Sequence, residues 1–256
     1  MKIALCQTDI VFENIEHNLK KAEKFIGEAA DNGAVLALFP EMSFTGFSMN
    51  TDVTKDNDCA TEDEMKALAR KYGINIGFGR VEKCDDMLSL NLYEIVNSDG
   101  EIILAYAKRH PFSYGGESTV FKGGDMVKKC VIDGVPVSVQ ICFDLRFPGG
   151  FWKLADDTHL MIVPANWADR RVEQFKALLR ARAIENQYYV IGLNCVGQQG
   201  KVSYNGQSCV YNPKGEELLS CGDSEGIYYF DFEDDVSRVR EKFPVISDRR
   251  DDEWNM

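Results

Sequence analysis

No apolar run in this sequence approaches the ~18 residues that a membrane span requires. Gln7 and Asp9 interrupt the first apolar stretch too early for a signal-peptide core, so the expected location is cytoplasmic, with no membrane partner. Basic residues are outnumbered: 29 Lys and Arg stand against 41 Asp and Glu, a formal net charge of −12. A field of that sign repels phosphate backbones and anionic lipid, which argues against nucleic acid as a partner. The eight cysteines include no Cys-x-x-Cys pair, so a zinc hairpin and a dithiol redox motif are both missing. Phosphate-loop and haem motifs are missing too, and the lone Gly123-Gly124 pair cannot stand for one. No metal and no cofactor are therefore expected. Nor does a Pro-, Gly- or Ser-rich linker divide the 256 residues, so a single domain over residues 1–256 is expected.

What is present is an ordinary globular composition, 45% apolar and 27% charged. Short apolar runs alternate with amphipathic stretches, as in α/β proteins. Several cysteines lie inside apolar runs, as in Leu5-Cys6, Cys195-Val196 and Cys209-Val210, where a thiol serves as a small core residue. A reducing compartment suits that usage better than a disulfide framework. Ile3–Thr8 reads as a strand. Residues 14–32 then set Ile15, Leu19, Ala22, Ile26 and Ala29 on one helical face, with Gly33 as the stop. Val35–Phe39 reads as a buried strand ending at Pro40, and Thr61-Glu62-Asp63-Glu64 has capping-box form ahead of Met65, Leu68, Ala69 and Tyr72. Ile74–Arg80, Leu88–Val96 and Glu101–Ala107 follow as strands, the last two joined by an Asp99-Gly100 turn.

The second half repeats this programme. Asn97-Ser98-Asp99-Gly100-Glu101 returns as Asn212-Pro213-Lys214-Gly215-Glu216, and Ile76-Gly77 returns as Ile191-Gly192, both 115 positions later. Leu36–Pro40 resembles Leu160–Pro164, Val137–Ile141 takes the place of the opening strand, and Arg171–Asn186 that of a helix. Two similar β/α halves are expected, with the charged chain beyond Glu233 wrapping the surface.

Three reactive side chains follow buried strands: Glu41 after Leu36–Pro40, Lys108 after Ile102–Ala107, and Cys142 at the end of Val137–Cys142. Ligands of α/β folds bind beyond the carboxyl ends of strands. A carboxylate, an ammonium and a thiol at that edge form a working set for acyl transfer. The thiol would attack a carbonyl to form a thioester. Glu41 would take the thiol proton and later that of the hydrolytic water. Lys108 would stabilise thiolate and oxyanion charge, with the backbone N–H after Cys142 as a second oxyanion donor. The plain alternatives are a surface ion pair for Glu41, a solvating charge for Lys108 and a core residue for Cys142. A Cys–His enzyme is a further reading, because His110 lies two positions beyond Lys108; His17 and His159 complete the histidine inventory.

Phe39-Pro40-Glu41, Tyr106-Ala107-Lys108-Arg109-His110 and Ile141-Cys142-Phe143-Asp144-Leu145-Arg146-Phe147-Pro148 resemble, in order, the three signature segments of the nitrilase, or carbon–nitrogen hydrolase, superfamily. The resemblance continues through Ala165-Asn166-Trp167, residues 181–187 and Arg240-Glu241-Lys242-Phe243-Pro244, and covers essentially the whole chain. It implies a four-layer α-β-β-α sandwich and a Glu–Lys–Cys triad at Glu41, Lys108 and Cys142. It further implies a second active-site glutamate at Glu117, orienting Lys108 or the water, and a structural role for His110. A homodimer, formed through the helix around Arg171–Gln187 or its neighbours, is implied as well.

The segment after the nucleophile departs from the Cys-Trp-Glu of true nitrilases. It looks like the Cys-Tyr-Asp-Leu-Arg-Phe-Pro of the omega-amidase branch, with Phe143 replacing the tyrosine. The implied substrates are amides of short 2-oxo dicarboxylic acids. Arg146 offers a planar fork suited to a substrate carboxylate, or else a structural partner for Asp144 or a buried glutamate. Phe143, Trp167, Phe47 and Tyr114 are candidate pocket walls. Another aliphatic or N-carbamoyl amide hydrolase is the nearest alternative; a catalytically retired binding protein is the alternative of another class.

Overall fold

Alternation along the first strand decides the layering. In β1 (Lys2–Gln7), Ile3 and Leu5 enter one core while Ala4 and Cys6 enter another, as expected of a strand buried on both faces. The computed structural model describes residues 1–56, 59–84 and 88–250. Its first sheet contains β1, β2 (Leu36–Leu38), β3 (Lys55–Asp56), β4 (Asn75–Glu82), β5 (Leu90–Val96) and β6 (Ile102–Ala107). The second contains β7 (Lys129–Ile132), β8 (Val135–Val139), β9 (Leu160–Pro164), β10 (Tyr189–Leu193), β13 (Cys209–Tyr211) and β14 (Glu217–Ser220). A separate hairpin pairs β11 (Val196–Gln199) with β12 (Val202–Asn205), and β15 (Gly226–Asp231) returns to the edge of the first sheet beside β1.

The two sheets have one plan. The first runs β15-β1-β2-β4-β5-β6, with β3 beside β4, and the second runs β7-β8-β9-β10-β13-β14. In each, three parallel strands are flanked by antiparallel ones: β1, β2 and β4 match β8, β9 and β10. The repeated pentapeptide makes the same turn twice. Asn97 Oδ1 accepts from the N–H groups of Asp99 and Glu101, and Asn212 Oδ1 from those of Lys214 and Glu216. Gly100 and Gly215 take the left-handed conformation at φ +80° and +78°, which glycine adopts without a Cβ clash.

Helices α1 (Ile15–Asp31) and α3 (Ala60–Tyr72) cover the first sheet, burying Ala22, Ile26, Ala29, Met65, Leu68 and Ala69 against Ala37, Phe39, Ile76 and Phe78. A short α2 (Thr51–Thr54) lies between them in sequence. Helices α4 (Pro148–Leu154) and α5 (Val172–Asn186) pack Phe151, Leu154, Phe175, Leu179 and Ala183 into the core of the second sheet. The inward faces of both sheets, including Ile3, Leu5, Leu38, Val137, Val139 and Ile162, share that same core. The result is the expected α-β-β-α sandwich. Past residue 233, α6 (Val236–Lys242) is stapled to the body by Arg240, which donates to the carbonyls of Ala155, Thr158 and Asn186.

Some local expectations need correction. The capping box at Thr61 does not form the helix start: α3 begins at Ala60, its N-cap Cys59 is left-handed, and Thr61 lies buried in the first turn. β5 begins at Leu90 rather than Leu88, and β8 stops at Val139, so Cys142 lies beyond the strand. Among the described residues no helix is long and apolar enough to cross a membrane, and no group of three or more His, Cys, Asp or Glu side chains could hold a metal.

Candidate active site

Strand direction gathers the site. β5 runs antiparallel to both β4 and β6, so β6 points the same way as β2. The carboxyl ends of β2 and β6 and the amino end of β5 therefore share one edge, bringing Glu41, Lys108 and Asn91 together. From the second sheet, β8 leads into Cys142 and β9 into Asn166.

Lys108 Nζ lies 2.8 Å from Glu41 Oε1, 2.8 Å from Glu117 Oε2 and 3.0 Å from Glu117 Oε1. All three side chains are essentially inaccessible to water. Charges this deep must be paired and saturated with hydrogen bonds to be tolerated. Asn91 Nδ2 donates to Glu41 Oε1 and Glu117 Oε1, the Asn166 N–H to Glu41 Oε2, and the Phe112 N–H to Glu117 Oε2. Burial by itself would push the Lys108 ammonium down, but the Glu41 and Glu117 charges more than reverse this and hold it well above its ordinary value. Lys108 is a permanent cation here.

Cys142 opens a tight turn over Cys142–Arg146 with φ +45°. A left-handed conformation costs a non-glycine residue roughly 1–2 kcal/mol, and Asp144 supplies the compensation. Its fully buried carboxylate accepts from the Ile141 N–H at 3.1 Å, the Tyr106 hydroxyl at 2.8 Å and the His110 N–H at 2.9 Å. Burial, and then the neighbouring Glu41 carboxylate, push the Cys142 thiol well above its ordinary value, with Lys108 pulling the other way. The resting thiol is neutral, so nucleophilic attack needs a base. Glu41 is the carboxylate beside it.

Glu41 is gripped from both ends by Asn166, whose side-chain Nδ2 also donates to the Glu41 carbonyl at 2.6 Å. Asn166 Oδ1 in turn accepts from Cys195 Sγ at 2.9 Å and Gln199 Nε2 at 3.1 Å. Gln199 Oε1 accepts from the Phe47 N–H at 2.8 Å, tying the β11–β12 hairpin to the pocket wall. β4 carries Gly79 where a Cβ would lie 2.4 Å from the Met42 nitrogen. Only glycine lets the Glu41 turn sit so close to that strand.

A cavity of about 290 Å³ opens onto Cys142, Lys108 and Asn166. The four expected wall residues, Phe47, Tyr114, Phe143 and Trp167, line it, and so does Arg146. Glu41 and Glu117 stand behind Lys108, outside the lining. Arg146 pairs with neither Asp144 nor a buried glutamate; it lies over Trp167 and donates to Gln174 Oε1 at 2.6 Å. Arg170 and Arg171 line the same cavity, and among the described residues the lining contains no Asp or Glu. Burial and then the like charges of Arg170 and Arg146 hold Arg171 below its ordinary value. His110 does not line the cavity.

The sequence does not single out Asn91, Asp144, Asn166, Gln199 or Arg171 as a site residue. Asp144 and Asn166 stand inside segments that carry the family resemblance, which is a signal. Asn91 and Gln199 are single polar residues in strands and gave none. The assembled groups can perform acyl transfer: a thiol, a base able to take its proton, a fixed cation, and a cavity for an acyl group.

The comparisons agree with that chemistry. The carbon-nitrogen hydrolase family model matches residues 2–241. A 2-oxoglutaramate amidase of Bacillus subtilis is 34% identical, covering 98% of each chain. The crystal structure of XC1258 from Xanthomonas campestris, a CN-hydrolase superfamily protein with an arsenic adduct in its active site, superposes with a TM-score of 0.92 at 26% identity, over 98% of this chain and 97% of that one. A mutant amidase from Nesterenkonia sp. AN1, with the acetamide moiety of fluoroacetamide added covalently at its active-site cysteine, superposes with a TM-score of 0.89 at 25% identity, over 98% and 94%. The chain thus belongs to the carbon–nitrogen hydrolase family and is a hydrolase acting on carbon–nitrogen bonds other than peptide bonds.

Proposed function

We propose that this enzyme hydrolyses a small linear amide carrying a carboxylate at its far end, a 2-oxo acid omega-amide such as 2-oxoglutaramate, to the acid and ammonia. The observation that carries the substrate class is the cavity lining: three arginines and, among the described residues, no acidic one, beside the thiol, in a chain of net charge −12. The similarity to the Bacillus subtilis 2-oxoglutaramate amidase supports the same class.

In this mechanism the Cys142 sulfur attacks the amide carbon while Glu41 takes the thiol proton. The carbonyl oxygen gains the negative charge, and the Lys108 ammonium, with the backbone N–H beyond Cys142, stabilises it. Collapse of the tetrahedral intermediate breaks the C–N bond, and the proton held by Glu41 leaves with ammonia. Water then attacks the thioester, Glu41 takes its proton, and the acid departs as the thiol is restored. Glu117 keeps Lys108 charged and in place throughout. The covalent adduct at the active-site cysteine of the Nesterenkonia amidase supports the nucleophile assignment.

Arg146 would fork the distal carboxylate. Charged hydrogen bonds of this type contribute roughly 1.5–3 kcal/mol, a preference of about 10- to 150-fold over a neutral amide of equal length. The test is kcat/KM for 2-oxoglutaramate and for that neutral amide, in wild type and Arg146→Lys, which keeps charge but loses bidentate geometry. Arg146→Lys should raise KM for the acidic substrate most. Equal wild-type efficiency on both substrates would overturn carboxylate recognition and leave a less selective amidase.

A further inference from the structure

Glu41 and Glu117 are two buried carboxylates facing one lysine, and one neutral side chain touches them both. Asn91 Nδ2 lies 2.8 Å from Glu41 Oε1 and 2.9 Å from Glu117 Oε1. The Asn91 carbonyl accepts from the Lys108 N–H at 2.9 Å, so the same residue also fixes the lysine's backbone. Asn91 is 2% exposed, and its Oδ1 is buried without a hydrogen-bond partner. An unpaired buried acceptor opposes folding. A residue kept for packing alone would carry no such atom, whereas two N–H bonds on one nitrogen suit two carboxylates held side by side.

Two carboxylates against one ammonium leave one negative charge unbalanced in a dry site. A like-charged pair of that kind relieves itself by taking up and sharing a proton. That proton would occupy the very group needed to deprotonate Cys142. We propose that Asn91 is a positioning residue for the base: its NH2 group holds Glu41 and Glu117 as separate anions around Lys108 and keeps Glu41 free to accept the Cys142 proton. The other titratable groups facing Glu41 are Lys108, Cys142, Cys195 and Tyr204. Cys142, Cys195 and Tyr204 are each held above their ordinary values, by burial first, and so stay protonated at neutral pH.

This inference rests on Glu41 acting as the base, and alkylation of Cys142 by iodoacetamide tests it without reference to any substrate. The second-order rate is followed against pH in the full-length protein, with the modified cysteine identified by peptide mapping. In wild type the rate falls on the acid side as the base becomes protonated. Asn91→Asp, which replaces the shared donor with a third carboxylate of equal size, should move that acid limb upward by about one pH unit or more. The rate at neutral pH should drop about 10-fold as a result. Asn91→Ser should shift the limb in the same direction by less, and serves if the aspartate variant does not fold. Because the new charge of Asn91→Asp shifts the limb by itself, the uncharged Asn91→Ser decides: a role in packing alone would change its melting temperature and leave its limb in place. Acid limbs superimposable on wild type in a folded variant would overturn the proposal. Glu41→Gln separates the two layers: it should abolish the limb. If it does so while the Asn91 variants leave the limb unmoved, only the Asn91 role falls; a wild-type limb in Glu41→Gln would remove the base assignment itself.

Discussion

The ring of His110 is bound to Asp144, Nδ1 to Oδ1 at 2.7 Å, and stacks on Phe147 with ring centroids 4.0 Å apart. The histidine is thereby committed to the carboxylate that braces the Cys142 turn.

His110→Ala should therefore keep turnover within about 10-fold of wild type and lose roughly 1.5–3 kcal/mol of stability, the scale of one charged hydrogen bond. Asp144→Ala should cost more, because it leaves two buried main-chain N–H groups and the Tyr106 hydroxyl without their acceptor. Steady-state turnover and urea melts of both variants check this. An inactive His110→Ala beside a near-normal Lys108→Met would favour a Cys–His mechanism instead.

Glu41→Gln and Lys108→Met should both lose at least ~10²-fold in turnover, as when a general base or oxyanion donor is removed. Their stabilities should differ. The glutamine is isosteric and leaves Lys108 with Glu117, whereas methionine leaves two buried carboxylates uncompensated, at a cost of about 3–5 kcal/mol. The depth of the charge cluster is what separates them. Equal urea midpoints for the two would contradict the buried-cluster description.

Alkaline pH should destabilise the fold through its thiols. Cys6, Cys130, Cys142, Cys195, Cys209 and Cys221 are buried. Burial pushes each above the ordinary thiol value of 9.0, with Cys130, Cys209 and Cys221 pushed up to about 12. Above the ordinary value unfolded thiols lose their protons while native ones keep them, so stability falls as pH rises. Each thiol contributes up to about 1.4 kcal/mol per pH unit. Lys108, also raised, adds the same sign only above its ordinary 10.5. Urea midpoints should hold steady just below pH 9.0 and fall steeply above it; a flat profile would contradict the burial of these thiols.

Much of this was legible in the sequence because the repeat is written in turn chemistry. Asn97 and Asn212 make the same turn, and from that correspondence two matching halves follow. Glu41, Lys108 and Cys142 were legible because each closes an apolar strand, or nearly so. Asn91 was not. It opens β5 rather than ending a strand, and only the antiparallel return of β5 brings it to the same edge. Gln199 was hidden for a different reason: the β11–β12 hairpin has no counterpart in the first sheet, so the repeat gave no place for it. Arg171 read as the first residue of a helix, but it closes a short 3-10 turn before α5, from which it lines the cavity.

A thioester on Cys142 is the intermediate on which this mechanism stands, and acid quenching during turnover of 2-oxoglutaramate, followed by peptide mass mapping, detects it. A thioester mechanism predicts an adduct of substrate mass less ammonia on the Cys142 peptide alone, labile to hydroxylamine and missing from Cys142→Ala. An adduct mapped to another cysteine, or continued ammonia release by Cys142→Ala, would contradict it.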